Sequence, residues 1–192
     1  MTSDDRNRWV HRYTNSRTAY GWIHILLHWV TAVTVIGLFL VGWWMVDLGY
    51  YDDWYHTAPA WHKAVGLLLA GLIAVRLVWK YLNYTPRDLS VSLWEQKAAH
   101  FAHAILYLLL ISMFITGYLI STAKGVGISV FDWFTVPAVI SLSPAWADRI
   151  GQWHWYIAVA LMLMVSLHTL AALRHHFQLR DRTLKRMLGF KQ

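Results

Sequence analysis

The sequence predicts an all-α integral membrane protein built as a four-helix bundle, and three observations support this. The chain of 192 residues is 57% hydrophobic and only 14% charged, a composition typical of proteins that fold in lipid. It contains four apolar runs that reach the length of about 20 residues needed to cross a bilayer as a helix. Its 13 Trp and 10 Tyr suit the membrane interfaces, where an aromatic ring meets both apolar and polar surroundings.

The four apolar runs belong to one predicted transmembrane domain that covers residues 1–192. In a bilayer only helices and closed barrels satisfy their backbone hydrogen bonds, and these runs lack the alternation of barrel strands. No small-residue cleavage site follows the first run, so we expect a retained span rather than a signal peptide. The predicted spans are residues 20–46, 60–82, 98–121 and 150–173.

The basic residues predict the orientation of these spans. Lys and Arg collect in the cytoplasmic segments of membrane proteins. Fourteen of the 17 lie in the two tails and around the second connection, whereas Lys63, Lys124 and Arg149 lie on the other side. We therefore expect both tails, residues 1–19 and 174–192, in the cytoplasm. Nucleic acid is not an expected partner, because the basic residues occupy tails and turns. The N-terminal tail contains Arg6, Arg8, Arg12 and Arg17.

Two connections are expected on the outer side. The first, "DLGYYDDWYHTAP" at residues 47–59, is acidic and contains no Lys or Arg. The other connection, at residues 124–149, is long and rather apolar. Its composition predicts a short helix that lies on the outer membrane surface.

Histidines at a spacing of fourteen residues define two layers in the predicted bundle. Fourteen residues advance a helix by about 21 Å and leave both side chains on one face. His154 and His168 are related by this step, and each other span repeats the step from a histidine to a glycine or an arginine. The arginine layer, expected on the inner side, contains His28, Arg76, His103 and His168. The glycine layer, expected on the outer side, contains Gly42, His62, Gly117 and His154.

Facing histidines in a helix bundle are typical axial ligands of a non-covalent b-type haem, which needs two neutral imidazole nitrogens. The chain has no cysteine, so iron–sulfur clusters and thioether-linked haem are excluded. The glycine layer offers one pair, His62 with His154. The arginine layer offers His28 with His168, and His103 is a competing ligand there. The pattern thus predicts two haem b groups with bis-histidine ligation.

The residues around these pairs allow more than one reading. Gly42 and Gly117 leave space for a flat macrocycle, or they allow close helix contact. Arg76 is a candidate partner of a haem propionate, or it extends to the inner interface. His24 lies four residues before His28 on the same face and is an alternative ligand. Intramembrane histidines also serve metal transport, so a divalent-metal transporter is the competing function of a different class.

Five stretches resemble the bacterial cytochrome b561 family of four-helix membrane proteins with two b haems. The resemblance implies that His28 and His168 hold the inner haem, that His62 and His154 hold the outer one, and that His103 is not a ligand. It also implies a bacterial inner membrane and electron transfer to or from quinone. The stretches are "LLHWVTAVTVIGLF", "WHKAVGLLLAGLIAVRLVWK", "AAHFAHAILYLLLISMFITGYL", "WHWYIAVALMLMVSLHTLAALRHHF" and "RDRTLKRML".

Membrane lipid is an expected partner of any such protein, and the resemblance implies two alternative functions with further partners. One branch of the family oxidises superoxide outside the membrane and reduces ubiquinone. Similar cytochromes are membrane anchors and electron-transfer subunits of dehydrogenases or hydrogenases, with a redox protein subunit as partner. Lys63 and Arg149 offer a local cationic approach for superoxide, although acidic residues outnumber basic ones in the outer loops. His100 and His103 are candidates for a quinone site, and the sequence is compatible with an oligomer.

Overall fold

The computed structural model describes residues 13–87, 89 and 92–190. Arg6, Arg8 and Arg12 of the predicted N-terminal tail lie outside the described residues. Four helices in the described part of the chain have the length and hydropathy to cross a membrane, which confirms the predicted fold class and its four spans. They are α1 (Trp22–Met45), α2 (Thr57–Leu82), α3 (Leu93–Thr122) and α4 (Pro144–Phe177).

Three of the spanning helices are longer than their apolar runs, and α2 begins at Thr57 rather than at residue 60. Helix α3 begins at Leu93 rather than at residue 98, and α4 extends from Pro144 to Phe177 rather than over residues 150–173. Backbone hydrogen bonding continues beyond the apolar stretch, because a helix end that meets the interface tolerates polar side chains. Proline suits the first helical position, since its missing amide proton has no partner in the helix there.

The connection between α3 and α4 contains a β-hairpin, and the predicted surface helix is wrong. Strands β1 (Ile128–Val130) and β2 (Phe134–Val136) pair antiparallel, with Ile128 opposite Val136. Both strands are rich in β-branched and aromatic residues, which favour a pleated conformation. Phe131 and Asp132 form the turn with φ angles of 48° and 60°, as expected for a tight hairpin turn.

The described part of the chain divides into two compact units, the first of which contains the described residues of the ranges 13–32, 72–103 and 165–190. Its C-terminal part includes a short helix that the sequence did not predict, α5 (Thr183–Met187). The indole Nε1 of Trp29 in α1 donates to the carbonyl of Met187 over 2.7 Å, and Arg186 donates to the carbonyl of Arg87 over 2.8 Å. These bonds attach α5 to two other segments of the same unit.

The second unit is formed from Val33–Gly71 and Ala104–Met164 and contains the hairpin. The hydroxyl of Tyr118 donates to the carbonyl of Pro137 over 2.7 Å and accepts from the amide of Val139 over 3.0 Å. The ring of Phe131 at the hairpin tip packs edge-on against Trp61, with 4.9 Å between the ring centroids. The hairpin is therefore held against α2 and α3, and its contact in α2 is Trp61, the residue before His62.

Candidate functional site

Each predicted layer lies within one unit. The first unit contains the whole arginine layer, and the second unit contains the whole glycine layer. Helix α4 supplies one histidine to each, because it is continuous from Pro144 to Phe177. The four residues that the fourteen-residue spacing assigned to each layer therefore also lie in one compact unit of the structure.

In the arginine layer, the rings of His28 and His168 lie edge to face, with 6.3 Å between their centroids and 63° between their planes. Two imidazoles that bind one metal ion from opposite sides have centroids about 6 Å apart, because each metal–nitrogen bond is about 2 Å long. His103 lies closer to His168, at 5.3 Å between centroids, and is exposed, whereas His28 and His168 are half-buried. The separation of His28 and His168 fits a pair of axial ligands.

Arg76 contacts His28 directly, because its Nη2 lies 2.8 Å from the imidazole Nδ1. A guanidinium group only donates hydrogen bonds, so Nδ1 must accept and the imidazole proton lies on Nε2. Binding of iron through Nε2 would therefore require Arg76 to exchange this bond for one to another acceptor. A carboxylate such as a haem propionate is a suitable acceptor for a guanidinium group.

In the glycine layer, each glycine lies against one imidazole. A Cβ atom added at Gly42 would lie 3.0 Å from Cε1 of His62, and one added at Gly117 would lie 3.2 Å from Cε1 of His154. Both distances are shorter than ordinary van der Waals contact between carbon atoms. The glycines thus give the two imidazoles room beside the helix backbone, a role that differs from the two that the sequence suggested, clearance for a macrocycle and close helix contact.

Both histidines and both glycines of this layer line a cavity of about 650 Å³ in the second unit. Its walls are mostly apolar, and the cavity lies in the size range of cofactor and ligand sites. Lys63, which the sequence suggested as a local cation, lines it together with Lys124. The cavity therefore combines imidazole side chains, apolar walls, two cationic side chains and the carboxylate of Asp148.

A residue that the sequence analysis missed lies beside His154. The hydroxyl oxygen of Thr116 is 2.9 Å from Nδ1 of His154 and also 2.8 Å from the carbonyl of Ser112. Threonines in helices commonly bond the carbonyl four residues earlier, so nothing in the spacing distinguished Thr116. By contrast, Nδ1 of His62 is buried and has no hydrogen-bond partner among the residues that the structure describes.

Two other candidate histidines, His100 and His24, each contact the residue four positions earlier in the sequence. His100 is exposed, and its Nδ1 donates to the carbonyl of Gln96 one turn earlier over 2.7 Å. The ring of His24 stacks on Tyr20 at 4.5 Å between centroids. His100 and His103, the candidates for a quinone site, are thus both exposed residues of α3, three positions apart.

These observations define a class of protein: a multi-pass membrane protein with paired histidines whose donor chemistry fits b-type haem. The chain belongs to the prokaryotic cytochrome b561 family, whose model matches residues 19–190. The resemblance seen in the sequence is therefore confirmed. Members of this family are membrane electron-transfer proteins that carry haem b, which weighs against a divalent-metal transporter.

Three relatives cover nearly the whole chain. Cytochrome b561 homolog 2 of Escherichia coli K12 is 46% identical over 178 residues, which are 92% of this chain and 95% of the relative. The probable superoxide oxidase CybB of Yersinia pestis is 28% identical and covers 90% of this chain and 97% of its own length. Cytochrome b561 homolog 1 of Escherichia coli K12 is also 28% identical, over 85% of this chain and 93% of the relative.

Proposed function

We propose that this membrane cytochrome holds two b haems by bis-histidine ligation and passes electrons across the membrane to or from quinone. His28 and His168 form one ligand pair, and His62 and His154 form the other. The observation that carries the proposal is the separation of His28 and His168, whose centroids lie 6.3 Å apart between half-buried imidazoles. The second pair is supported by the cavity that both of its imidazoles line.

The chain's own residues hold and tune the redox groups. Haem supplies the one-electron chemistry when it is bound. Each pair of histidines would hold one haem, and ligation by two imidazoles would disfavour oxygen binding. Arg76 is proposed to turn from His28 to a propionate, and the apolar walls of the cavity around His62 and His154 exclude water and so influence the potential.

We further propose superoxide as the electron donor and ubiquinone as the acceptor. In this reaction two superoxide anions each lose one electron and become dioxygen, and one quinone takes up both electrons and two protons to become quinol. The name of the Yersinia pestis relative, a probable superoxide oxidase, suggests this donor. Lys63 and Lys124 line the cavity of the glycine layer together with the single carboxylate of Asp148, and the excess of positive charge would attract the anion locally.

The quinone is proposed to bind near the exposed residues His100 and His103 of α3. A neutral imidazole can donate one hydrogen bond to a quinone carbonyl or accept one from a quinol hydroxyl, and His100 would accept through Nε2 because its Nδ1 donates to Gln96. The basic tails and second connection support cytoplasmic termini in a bacterial inner membrane, with the glycine layer on the outer side. Cysteine-scanning with a membrane-impermeant thiol reagent tests this orientation, since the chain has no native cysteine.

The function is tested with the purified full-length chain. We expect a reducible b-type spectrum, reduction of the haems by superoxide, and their reoxidation by ubiquinone. Colourless protein would contradict the cytochrome assignment. Haems that quinol reduces but superoxide does not would exclude superoxide as donor, and co-purification with a large redox subunit would assign the chain as its membrane anchor.

A further inference from the structure

We propose that Thr116 is a positioning residue for His154: its hydroxyl oxygen accepts the Nδ1 proton, which leaves Nε2 free to bind iron. This inference rests on the proposed function, since it concerns the ligand pair His62 and His154. No spacing rule pointed to Thr116, and its role follows from two hydrogen bonds in the second unit.

The direction of the bond to His154 follows from the number of protons on the hydroxyl. The Thr116 oxygen carries one proton, which it donates to the carbonyl of Ser112 over 2.8 Å. The carbonyl of Met113, at 3.2 Å, is a weaker second acceptor for the same proton. The hydroxyl lone pairs are then left for Nδ1 of His154 at 2.9 Å, which must be the donor.

A neutral imidazole that donates from Nδ1 has its lone pair on Nε2, which is the form that binds a metal ion. Ligand histidines generally have such an acceptor on the second nitrogen, and it fixes both the tautomer and the ring orientation. Without an acceptor, the Nδ1 proton of His154 would be buried between apolar helices at a cost in free energy. Gly117, the next residue after Thr116, gives the same imidazole room, so two consecutive residues of α3 set its position.

The bond also has an electronic effect. An acceptor on Nδ1 makes the imidazole a stronger electron donor, which stabilises ferric over ferrous iron and lowers the reduction potential of the haem. Removing the hydroxyl should therefore raise the potential of one haem. The haem of the arginine layer should keep its potential, because the hydrogen bonds of the Thr116 hydroxyl in the described part of the chain are all to residues of the second unit.

The test is a redox titration of the purified holoprotein, followed in the visible spectrum, for wild type, Thr116→Val and Thr116→Ser. Valine keeps the branched shape and removes the hydroxyl, whereas serine keeps the hydroxyl. Thr122→Val is the matched control, because Thr122 makes the same bond, to the carbonyl of Tyr118 over 2.8 Å, in the same helix. In the described ranges Thr122 has no hydrogen bond to a histidine.

We expect a positive shift of one haem potential in Thr116→Val, and wild-type potentials in Thr116→Ser and Thr122→Val. Unchanged potentials in a Thr116→Val protein that retains both haems would overturn the inference. If Thr116→Val loses one haem, Thr116→Ser decides: two haems with wild-type potentials support the role of the hydroxyl, and loss of a haem contradicts it. Failure of the proposed function is separate, since it would appear as wild-type protein without two haems.

Discussion

The arginine layer and the glycine layer present their histidines in opposite ways. In the arginine layer a donor, Arg76, faces Nδ1 of His28, which leaves the proton on Nε2. In the glycine layer an acceptor, Thr116, faces Nδ1 of His154, which leaves Nε2 free. The imidazole proton thus lies on Nε2 in His28 and on Nδ1 in His154. The hydrogen-bonding neighbour of each histidine determines which ring nitrogen has the lone pair that can bind a metal ion.

The two layers also differ in charge and packing. The arginine layer includes a half-buried cation in contact with a proposed ligand, whereas the imidazoles of the glycine layer each lie against a glycine. A nearby positive charge favours the reduced form of a haem, because reduction adds an electron. We therefore expect the two haems to have distinct potentials, and substitutions in one layer should leave the other unchanged.

The largest effect is expected from a comparison of His168→Ala with His103→Ala. His168 is the proposed ligand opposite His28, so its loss should remove one haem, whereas His103→Ala should retain two. The measurement is the molar ratio of haem to protein after purification. Loss of a haem only from the His103 variant would exchange the roles of these two histidines, whose rings lie 5.3 Å apart.

A smaller loss of haem is expected from Gly42→Ala, which adds a side-chain atom beside His62 in the glycine layer. The added Cβ would lie 3.0 Å from Cε1 of His62 and would displace the imidazole, so we expect roughly 10-fold weaker retention of one haem. Gly37→Ala, in the same helix, is the control, because no atom lies within 4 Å of its added Cβ. The rate of haem transfer from each variant to an apoprotein acceptor is the measurement. Equal rates for Gly42→Ala and Gly37→Ala would argue against close packing of the His62 imidazole on Gly42.

Substitution of Arg76 should change a potential without removing a haem. Arg76→Gln removes one positive charge, which at about 8 to 16 Å and an effective dielectric constant of about 20 is worth roughly 1 to 2 kcal/mol. That corresponds to a decrease of about 40 to 90 mV for a one-electron couple. Arg76→Lys keeps the charge and should stay near wild type in a redox titration. A decrease in both potentials would contradict the independence of the layers.

The smallest effect is expected at the C-terminal end of the first unit. Asp181 accepts hydrogen bonds from Nδ1 of His175 and from the amide of Thr183. Burial disfavours the ionised carboxylate, but these bonds outweigh burial and hold the pKa of Asp181 below its usual value of 3.8. Asp181→Ala should lower the free energy of unfolding by about 1 kcal/mol, as measured by thermal unfolding of the holoprotein at neutral pH.

The pH dependence of this contribution has a definite sign. Since the folded pKa of Asp181 is lowered, the stabilisation is complete above the unfolded value of 3.8 and is lost as the pH falls through the folded value. The difference between wild type and Asp181→Ala should therefore shrink as the pH falls below 3.8. A difference that already disappears at pH 6 would assign the effect to another group.

The sequence predicted the spans and the two layers because both depend on simple periodic properties. Four apolar runs identify membrane helices, and fourteen residues make nearly whole turns, so His154 and His168 had to share a face. Helix ends such as Leu93 and Pro144 were not predictable from hydropathy, since hydrogen bonding continues into polar sequence. The hairpin was missed because Phe131, at positive φ, is not a residue that normally indicates such a turn, although the Asp132 that follows it is common there.

The side-chain contacts that distinguish the two layers could not be predicted from the sequence either. Arg76 was expected to face a propionate or the interface, and its bond to His28 depends on the distance between α1 and α2 within the first unit. Thr116 resembles any helical threonine until His154 is placed beside it. Periodicity can therefore assign residues to a layer, but the side chain that each imidazole meets depends on packing between helices.

The most direct test of the account is the haem content of wild type, His62→Ala and His154→Ala, measured on purified full-length protein. We predict two haems per chain in wild type and one in each variant, with the remaining haem keeping its wild-type potential. Two haems retained after either substitution would contradict the assignment of His62 and His154 as the ligand pair of the glycine layer.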